Sequence, residues 1–407
     1  MSQKKNGGAH LSRRSWMVLT ASALGGCGGG GGGSAGMAGL PGTGGTGQSA
    51  LLYVQGPISG FGSVRVNGIK FDDAAASVQF DGLPAASSDL RLGMVASVQG
   101  QRGAVATLGT ASSIEVWSIA QGLVAAAQGG QFTVAGMTVQ TDSATVFEGL
   151  AGAAALSPGL RVTVWGLQAA ADGSRWIATR VASPAASAVV STGFVSLQGA
   201  QRFLNRLPLA GPATAGLADG QLVRVQGTPI ALGTSLQVER VRLLGPDIGP
   251  APQGEVEIEG LVTAILSASR FMLGPVEVDA SSASVRPALA AITVGARLEV
   301  EGVWQARLLK ATSVELQNAQ TLQQVEIEAD IDQFTSLADF VVRGQRCDAS
   351  GAGLSSATVA ALKVGVRVSL HGIKDGAVLR VTELEIEAGT ESQTESRRSE
   401  NGESARD

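Results

Sequence analysis

At 407 residues the chain has room for several domains, and 56 glycines without a collagen period point to many turns and a low-complexity stretch rather than to a fibre. Only 16% of residues are charged and 4% aromatic, so any core is built from Val, Leu, Ile and Ala. Net charge is −4, falling to −8 once residues 1–26 are set aside, and a nucleic-acid binder shows a basic face instead, so no nucleic-acid partner is expected.

The chain opens MSQKKNGGAHLSRRSWMVLTASALGGC: a basic region, an apolar run from Trp16 to Leu24, then small residues. The run falls far short of the ~20 residues that span a bilayer, so residues 1–26 are predicted to be a signal peptide and not a membrane helix. Leu24-Gly25-Gly26-Cys27 resembles the lipobox of bacterial lipoproteins. That makes Cys27 the expected lipidation site and the membrane, reached through the lipid, an expected partner. The alternative is an incidental Cys27 with cleavage nearby. Ser12-Arg13-Arg14-Ser15-Trp16-Met17 resembles a twin-arginine export motif with Trp16 in place of the usual Phe, and that route and general secretion both stay open. Gly28 is not the aspartate that retains lipoproteins at an inner membrane, so the expected location is the cell envelope, at the outer membrane. The lipidated cysteine and a Gly-rich, chargeless linker fill residues 27–50; about 20 such residues span ~25 Å, enough to lift a domain clear of lipid head groups.

From residue 51 one pattern returns five times: two glycines enclosing six residues with apolar alternation. The copies are Gly93–Gly100 (GMVASVQG), Gly159–Gly166 (GLRVTVWG), Gly220–Gly227 (GQLVRVQG), Gly295–Gly302 (GARLEVEG) and Gly365–Gly372 (GVRVSLHG), spaced 66, 61, 75 and 70 residues apart. In the second copy Leu160, Val162 and Val164 share one face and Arg161, Thr163 and Trp165 the other, the period of a half-buried strand. Each copy has the same neighbours. An opening strand (QGPISGF at 55–61, QGLVAAA at 121–127) leads into a segment with a tight turn at its middle: Asn67-Gly68, Ala135-Gly136, Gly274-Pro275, Arg343-Gly344. A variable loop follows, with short helices predicted at Ala151–Leu156, Ala288–Ile292 and Ser356–Leu362, then the glycine-bounded strand and a last strand such as SSIEVWS (112–118). Five short strands without a long helix predict an all-β chain of small closed or half-closed barrels, because closure removes the bare edge of a flat sheet. The units are 51–118, 119–186, 187–247 (the most degenerate, its second segment broken by proline), 253–318 and 323–388. Residues 389–407, polar except for Ala405, are predicted to be a disordered tail.

SGFGSVRVNGIKF, followed by LRLGMVASVQG and SSIEV, resembles a bacterial family of exported proteins and lipoproteins, domain-of-unknown-function family 5666, often found in tandem. Gly60-Phe61-Gly62-Ser63, Asn67-Gly68 and Phe71 stand where the family's pattern has them, and FTVAGMTVQTDSATVFEG and PGLRVTVWG look like it too. The resemblance covers roughly residues 52–388. It implies a tandem array of about five OB-like barrels and an envelope location, and it implies no activity.

Chemistry is sparse. Beyond residue 27 there is one histidine, His371, at an outward register, and one further cysteine, Cys347, on a strand where a buried structural thiol is expected and an intermolecular disulfide is the alternative. Zinc and copper sites need several such ligands, so no metal or other cofactor is expected. The carboxylates of Asp72-Asp73 invite a glycosidase or calcium reading, as do Glu255, Glu257 and Glu259; but the glutamates alternate with Val256 and Ile258, as the wet face of a strand does. The glycine runs lack the strand before and the Gly-Lys-Ser/Thr after that a phosphate loop needs. The tryptophans beyond the leader are Trp117, Trp165, Trp176 and Trp304, and Trp165, Trp176 and Trp304 are candidate ligand-binding residues, a sugar or peptide platform, against packing between units or simple exposure. The expectation is a non-enzymatic envelope lipoprotein, a scaffold or spacer strung out as barrels; the alternative is a module that binds a polysaccharide or protein through barrel grooves and exposed tryptophans, and an enzyme stands third.

Overall fold

The computed structural model describes residues 51–183, 185–230, 235–244, 254–288, 292–305, 307–318 and 323–387. Cys27, the leader, the linker and the tail lie outside the described residues, as does most of the helix predicted at Ala288–Ile292.

The first unit holds β1 (Leu51–Phe61), β2 (Val64–Val66), β3 (Ile69–Asp72), β4 (Ser77–Phe80), β5 (Leu83–Ala85), β6 (Val95–Arg102) and β7 (Leu108–Val116). β1 pairs antiparallel with β2 and with β6, β2 with β3, and β6 with β7, while β3 runs parallel to β7. The circuit β1-β2-β3-β7-β6-β1 is closed: five strands in the order first, second, third, fifth, fourth, which is an OB-like barrel.

The same circuit closes four more times. The second barrel uses β8 (Ala120–Gln128), β9 (Gln131–Val134), β10 (Met137–Gln140), β12 (Arg161–Gln168) and β13 (Trp176–Ala182). The third uses β14 (Val189–Gln198), β15 (Gln201–Leu204), β16 (Leu207–Ala210), β17 (Leu222–Ile230) and β18 (Ser235–Leu243). The fourth uses β19 (Glu255–Ile265), β20 (Arg270–Leu273), β21 (Val276–Asp279), β23 (Arg297–Gln305) and β24 (Leu308–Leu316). The fifth uses β25 (Gln324–Ser336), β26 (Asp339–Val342), β27 (Gln345–Asp348), β28 (Arg367–Asp375) and β29 (Val378–Ile386). The third unit, degenerate in sequence, is therefore a complete barrel. The variable loop carries a strand beside the last one in three barrels, namely β4, β11 (Val146–Glu148) and β22 (Ser284–Arg286). In the fifth it carries a short helix, α1 (Ser356–Ala361), capped by the Ser355 hydroxyl, which accepts from the Thr358 N–H. The helix predicted at Ala151–Leu156 is a single 3-10 turn, Ala153–Ala155.

The two glycines of the repeated strand do different work. The first takes φ between +74° and +90° in all five barrels, and its N–H donates to the opening strand at Ile58, Val124, Val195, Val262 or Ile331. The second follows a register shift in all five: Gln99/Gly100, Trp165/Gly166, Gln226/Gly227, Glu301/Gly302 and His371/Gly372. At that bulge the last strand's carbonyl comes so close that a Cβ would lie within 2.5 Å of it in every barrel. One glycine sets a turn and the other admits a backbone, which is why both recur at fixed spacing.

Apolar alternation then fills each barrel from Val, Leu and Ile, with one fully buried ring in four of the five: Phe71, Phe132, Phe271 and Phe340. Each such ring contributes about 1.5–3 kcal/mol. A barrel of this size has little core of its own, and the barrels lean on one another.

They do so out of chain order. β1 lies parallel to β19 of the fourth barrel over Leu52–Gln55 and parallel to β25 of the fifth at Gly60 and Phe61. The core of the fifth barrel is continuous with that of the first. β8 bridges β14 at Gln121 and Val190, joining the second barrel to the third. Arg224 from the third barrel and Arg180 from the second reach into the first, the former ion-paired to Asp81 (2.7 Å) and the latter donating to the Leu92 carbonyl (2.9 Å). The described residues beyond Ser49 cluster as one compact unit, so the expected string of barrels is corrected: barrel 1 is a hub.

Candidate functional site

Where barrels 1, 2, 3 and 4 meet, they line a partly open cavity of about 400 Å³, within the range of small-molecule sites. Its apolar wall includes Val95 from barrel 1, Ile119 and Leu167 from barrel 2, Leu222 from barrel 3, and Ile258 and Leu261 from barrel 4. A second cavity of about 420 Å³ shares Gln168, Leu222, Leu243 and Pro275 with it and extends past Phe194 and Met272.

The polar wall is a network at the end of barrel 1. The Tyr53 hydroxyl donates to the Ser97 hydroxyl (3.1 Å), which also accepts from Gln55 (3.2 Å); burial pushes the Tyr53 phenol above its ordinary value. The Trp117 ring carries the Arg242 guanidinium 3.7 Å from its centroid and Arg224 at 5.2 Å, while its indole N–H donates to Glu115 (3.3 Å). Arg224, 4% exposed, also donates to the Ser118 carbonyl (2.7 Å) and hydroxyl (2.9 Å). Burial lowers the affinity of both guanidiniums for their protons, opposed by Asp81 and Glu115. Each charge on this wall has an opposite one beside it.

The sequence candidates fall as follows. Trp165, Trp176 and Trp304 are 8%, 6% and 9% exposed, so of the readings open to them packing is the one their burial agrees with, and none offers an open platform to solvent. Trp165 packs into the core of barrel 1 with Arg180 over its ring (5.9 Å), and Trp304 lies in the core of barrel 4, which Tyr53 also joins. Trp176 belongs to the core of barrel 2, donates to the Gly173 carbonyl (3.1 Å) and lines the cavity. The register of Trp165 points outward from its own barrel, and barrel 1 covers that outside; Trp176 and Trp304 face the cores of their own barrels. Tyr53, Arg224 and Arg242, which with Trp117 form the polar wall, carry no local pattern that marks them in the sequence.

His371 is exposed. Cys347 is fully buried, its thiol pushed up to about 12 by burial, so it is a packed structural thiol. Glu257 and Glu259, expected on a wet face, are buried, because barrel 1 covers that face of β19; Arg102 ion-pairs with Glu255 (2.9 Å), Glu257 (3.2 Å) and Glu301 (3.5 Å), and Arg297 pairs with Glu259. Among the described residues these carboxylates do not converge as a metal-ion site.

Residues 121–182, within barrel 2, match the family described as Domain of unknown function (DUF5666), and residues 259–315, within barrel 4, match it again. The chain carries tandem copies of the DUF5666 domain. Barrel 1, whose motifs carry the sequence resemblance, lies outside both matched stretches, as do barrels 3 and 5, though all five share the circuit of the two DUF5666 barrels. No curated protein matches the chain. A solved structure from Drosophila, Unr CSD456, is similar at 13% identity over 49% of this chain and 97% of its own, with a TM-score of 0.14. The OB-like assignment rests on the strand circuits, not on that likeness.

Proposed function

We propose that this is a non-enzymatic scaffold of the cell envelope, exported and held at the outer membrane by a lipid on Cys27. The observation that supports the scaffold reading is the use of barrel 1 as a hub: its opening strand is shared with two other barrels, so five small domains present their outer faces on one body. The mature chain immobilised through Cys27 is expected to retain a defined envelope protein, and Cys27→Ala to release the protein from the membrane fraction. Turnover of a substrate that is lost on replacing a single acidic residue would overturn the non-enzymatic reading.

A second reading is favoured by the cavity: a binding module in which the barrels close around a ligand instead of offering grooves and exposed tryptophans. Saturable change in the fluorescence of Trp117 and Trp176 across a ligand panel tests it, and a flat response counts against it.

A further inference from the structure

One barrel lacks a piece that the others have. In barrels 1, 2 and 4 a short strand from the variable loop lies parallel to the last strand: Ser77-Val78-Gln79 beside Ser113-Ile114-Glu115, Val146-Phe147-Glu148 beside Arg180-Val181-Ala182, and Ser284-Val285-Arg286 beside Ser313-Val314-Glu315. The middle residue of each is apolar and stands opposite Ile114, Val181 or Val314, all 0% exposed. Charges match across two of these pairs: Glu148 ion-pairs with Arg180, and Arg286 with Glu315 (3.6 Å). In barrel 5 the loop carries α1 instead, and Leu384, at the matching register, is 6% exposed.

The shared bulge places Arg240-Val241-Arg242 of β18 at the same register in barrel 3. There β16 ends at Ala210 and the 3-10 turn Pro212–Thr214 starts two residues later, so the loop has no room for the extra strand. Among the described residues β18 pairs only with β16, at Leu236 and Gln237, and with β17. The 3-10 turn packs against β18 but makes no backbone hydrogen bond to it. Val241 is only half-buried, unlike its counterparts in the other barrels. Arg240 is exposed and makes no ion pair among the described residues, while Arg242 has Glu115 at 3.6 Å. An open strand edge offers its N–H and C=O groups to another extended chain.

We infer that the free edge of β18 is a docking site for an extended segment of a partner protein, lying parallel to β18, with an apolar residue opposite Val241 and an acidic residue directly after it. Barrel 2 displays the fit: Arg180 stands where Arg240 does, and Val146-Phe147-Glu148 supplies both groups. A second copy of the same edge would set arginines against arginines. Parallel strands need a connection of a dozen or more residues, longer than the stretch from 245 to 253 that leads on to barrel 4. The inference rests on the scaffold reading and names the surface and chemistry of its partner.

The test titrates a labelled peptide of residues 142–150, DSATVFEGL, with the mature chain and reads its anisotropy. Saturation is expected with a Kd below about 1 mM, and peptides carrying Phe147→Ser or Glu148→Lys are expected to bind about tenfold more weakly. Arg240→Glu, at an exposed position, is expected to leave the thermal melt unchanged and to abolish the preference for glutamate over lysine. A preference that survives Arg240→Glu, or no binding at about 1 mM, overturns the site. Binding that appears only after Asp247 and Ile248 are replaced by glycine overturns it too, since the chain's own segment is then the occupant. If the peptide fails while the chain fixed through Cys27 retains a defined envelope protein, the docking site falls and the scaffold reading stands; if both fail, both fall.

Discussion

At the scale of the residue, the second glycine of each repeated strand is the sharpest constraint in the chain. Gly302 faces the Lys310 carbonyl across a bulge, and a methyl group there has no room unless the strands part. Gly302→Ala is expected to lower stability by about 1–3 kcal/mol, the cost of overpacking a filled site. Gly351→Ala, where nothing lies within 4 Å of the new carbon and φ is ordinary, is expected to stay within about 0.5 kcal/mol. Urea unfolding of the two variants beside the parent checks both. Buried arginines act at the same scale. Arg224→Ala strands Asp81 and Ser118 in the seam between barrels 1 and 3, and removing one partner of a buried pair costs roughly 3 kcal/mol; a thermal melt unchanged from the parent would show that the seam does not depend on it.

At the scale of the element, β19 and β23 set glutamates opposite one another: Glu257 faces Glu301 and Glu259 faces Glu299. Burial pushes Glu299 up to about 8, aided by the charges of Glu257 and Glu259, and pushes Glu257 up to about 7 against the pull of Arg102. Glu301 rises to about 7, first through its hydrogen bond with Glu255 and then through burial, while Glu255 is lowered by the same bond. In the unfolded chain such carboxyls titrate near pH 4.3. Their folded values lie higher, so the folded protein holds protons that the unfolded chain has released. The stability contributed by Glu257, Glu299 and Glu301 is full below about pH 4 and is lost as pH rises through 7 to 8. Lys374, pushed down to about 8 by burial, works in the opposite sense, but only above that pH. Thermal melts from pH 5 to 8.5 are expected to show a falling midpoint, flattened by Glu299→Gln; a midpoint that rises over that range contradicts the assignment.

The strands, the turns at Asn67-Gly68, Ala135-Gly136, Gly274 and Arg343-Gly344, and the five closed barrels were legible in the sequence because they rest on local signals: a period of two, a turn dipeptide, a fixed glycine spacing. The third barrel's turn was not, since it is made by Asn205 and Arg206 at φ +50° and +68°, without a glycine. The candidate site was not legible either. Glu257 and Trp165 alternate with apolar residues as solvent-facing residues do, and what covers them comes from distant parts of the chain, as when Arg102 reaches Glu257 across 155 residues.

At the scale of the whole molecule, barrel 1 acts as a hub: its opening strand, β1, is flanked by β6 of its own barrel and by the fourth and fifth barrels in turn. A linear array would need only neighbours in sequence to touch. Small-angle scattering from the mature chain tests that claim most directly. A compact body of roughly 340 residues has a radius of gyration of about 20 Å. The hub arrangement predicts a value near that, raised only by the linker and tail, and a distance distribution with a single main peak. A radius well above 30 Å, with the evenly repeating peaks of beads on a string, would contradict it.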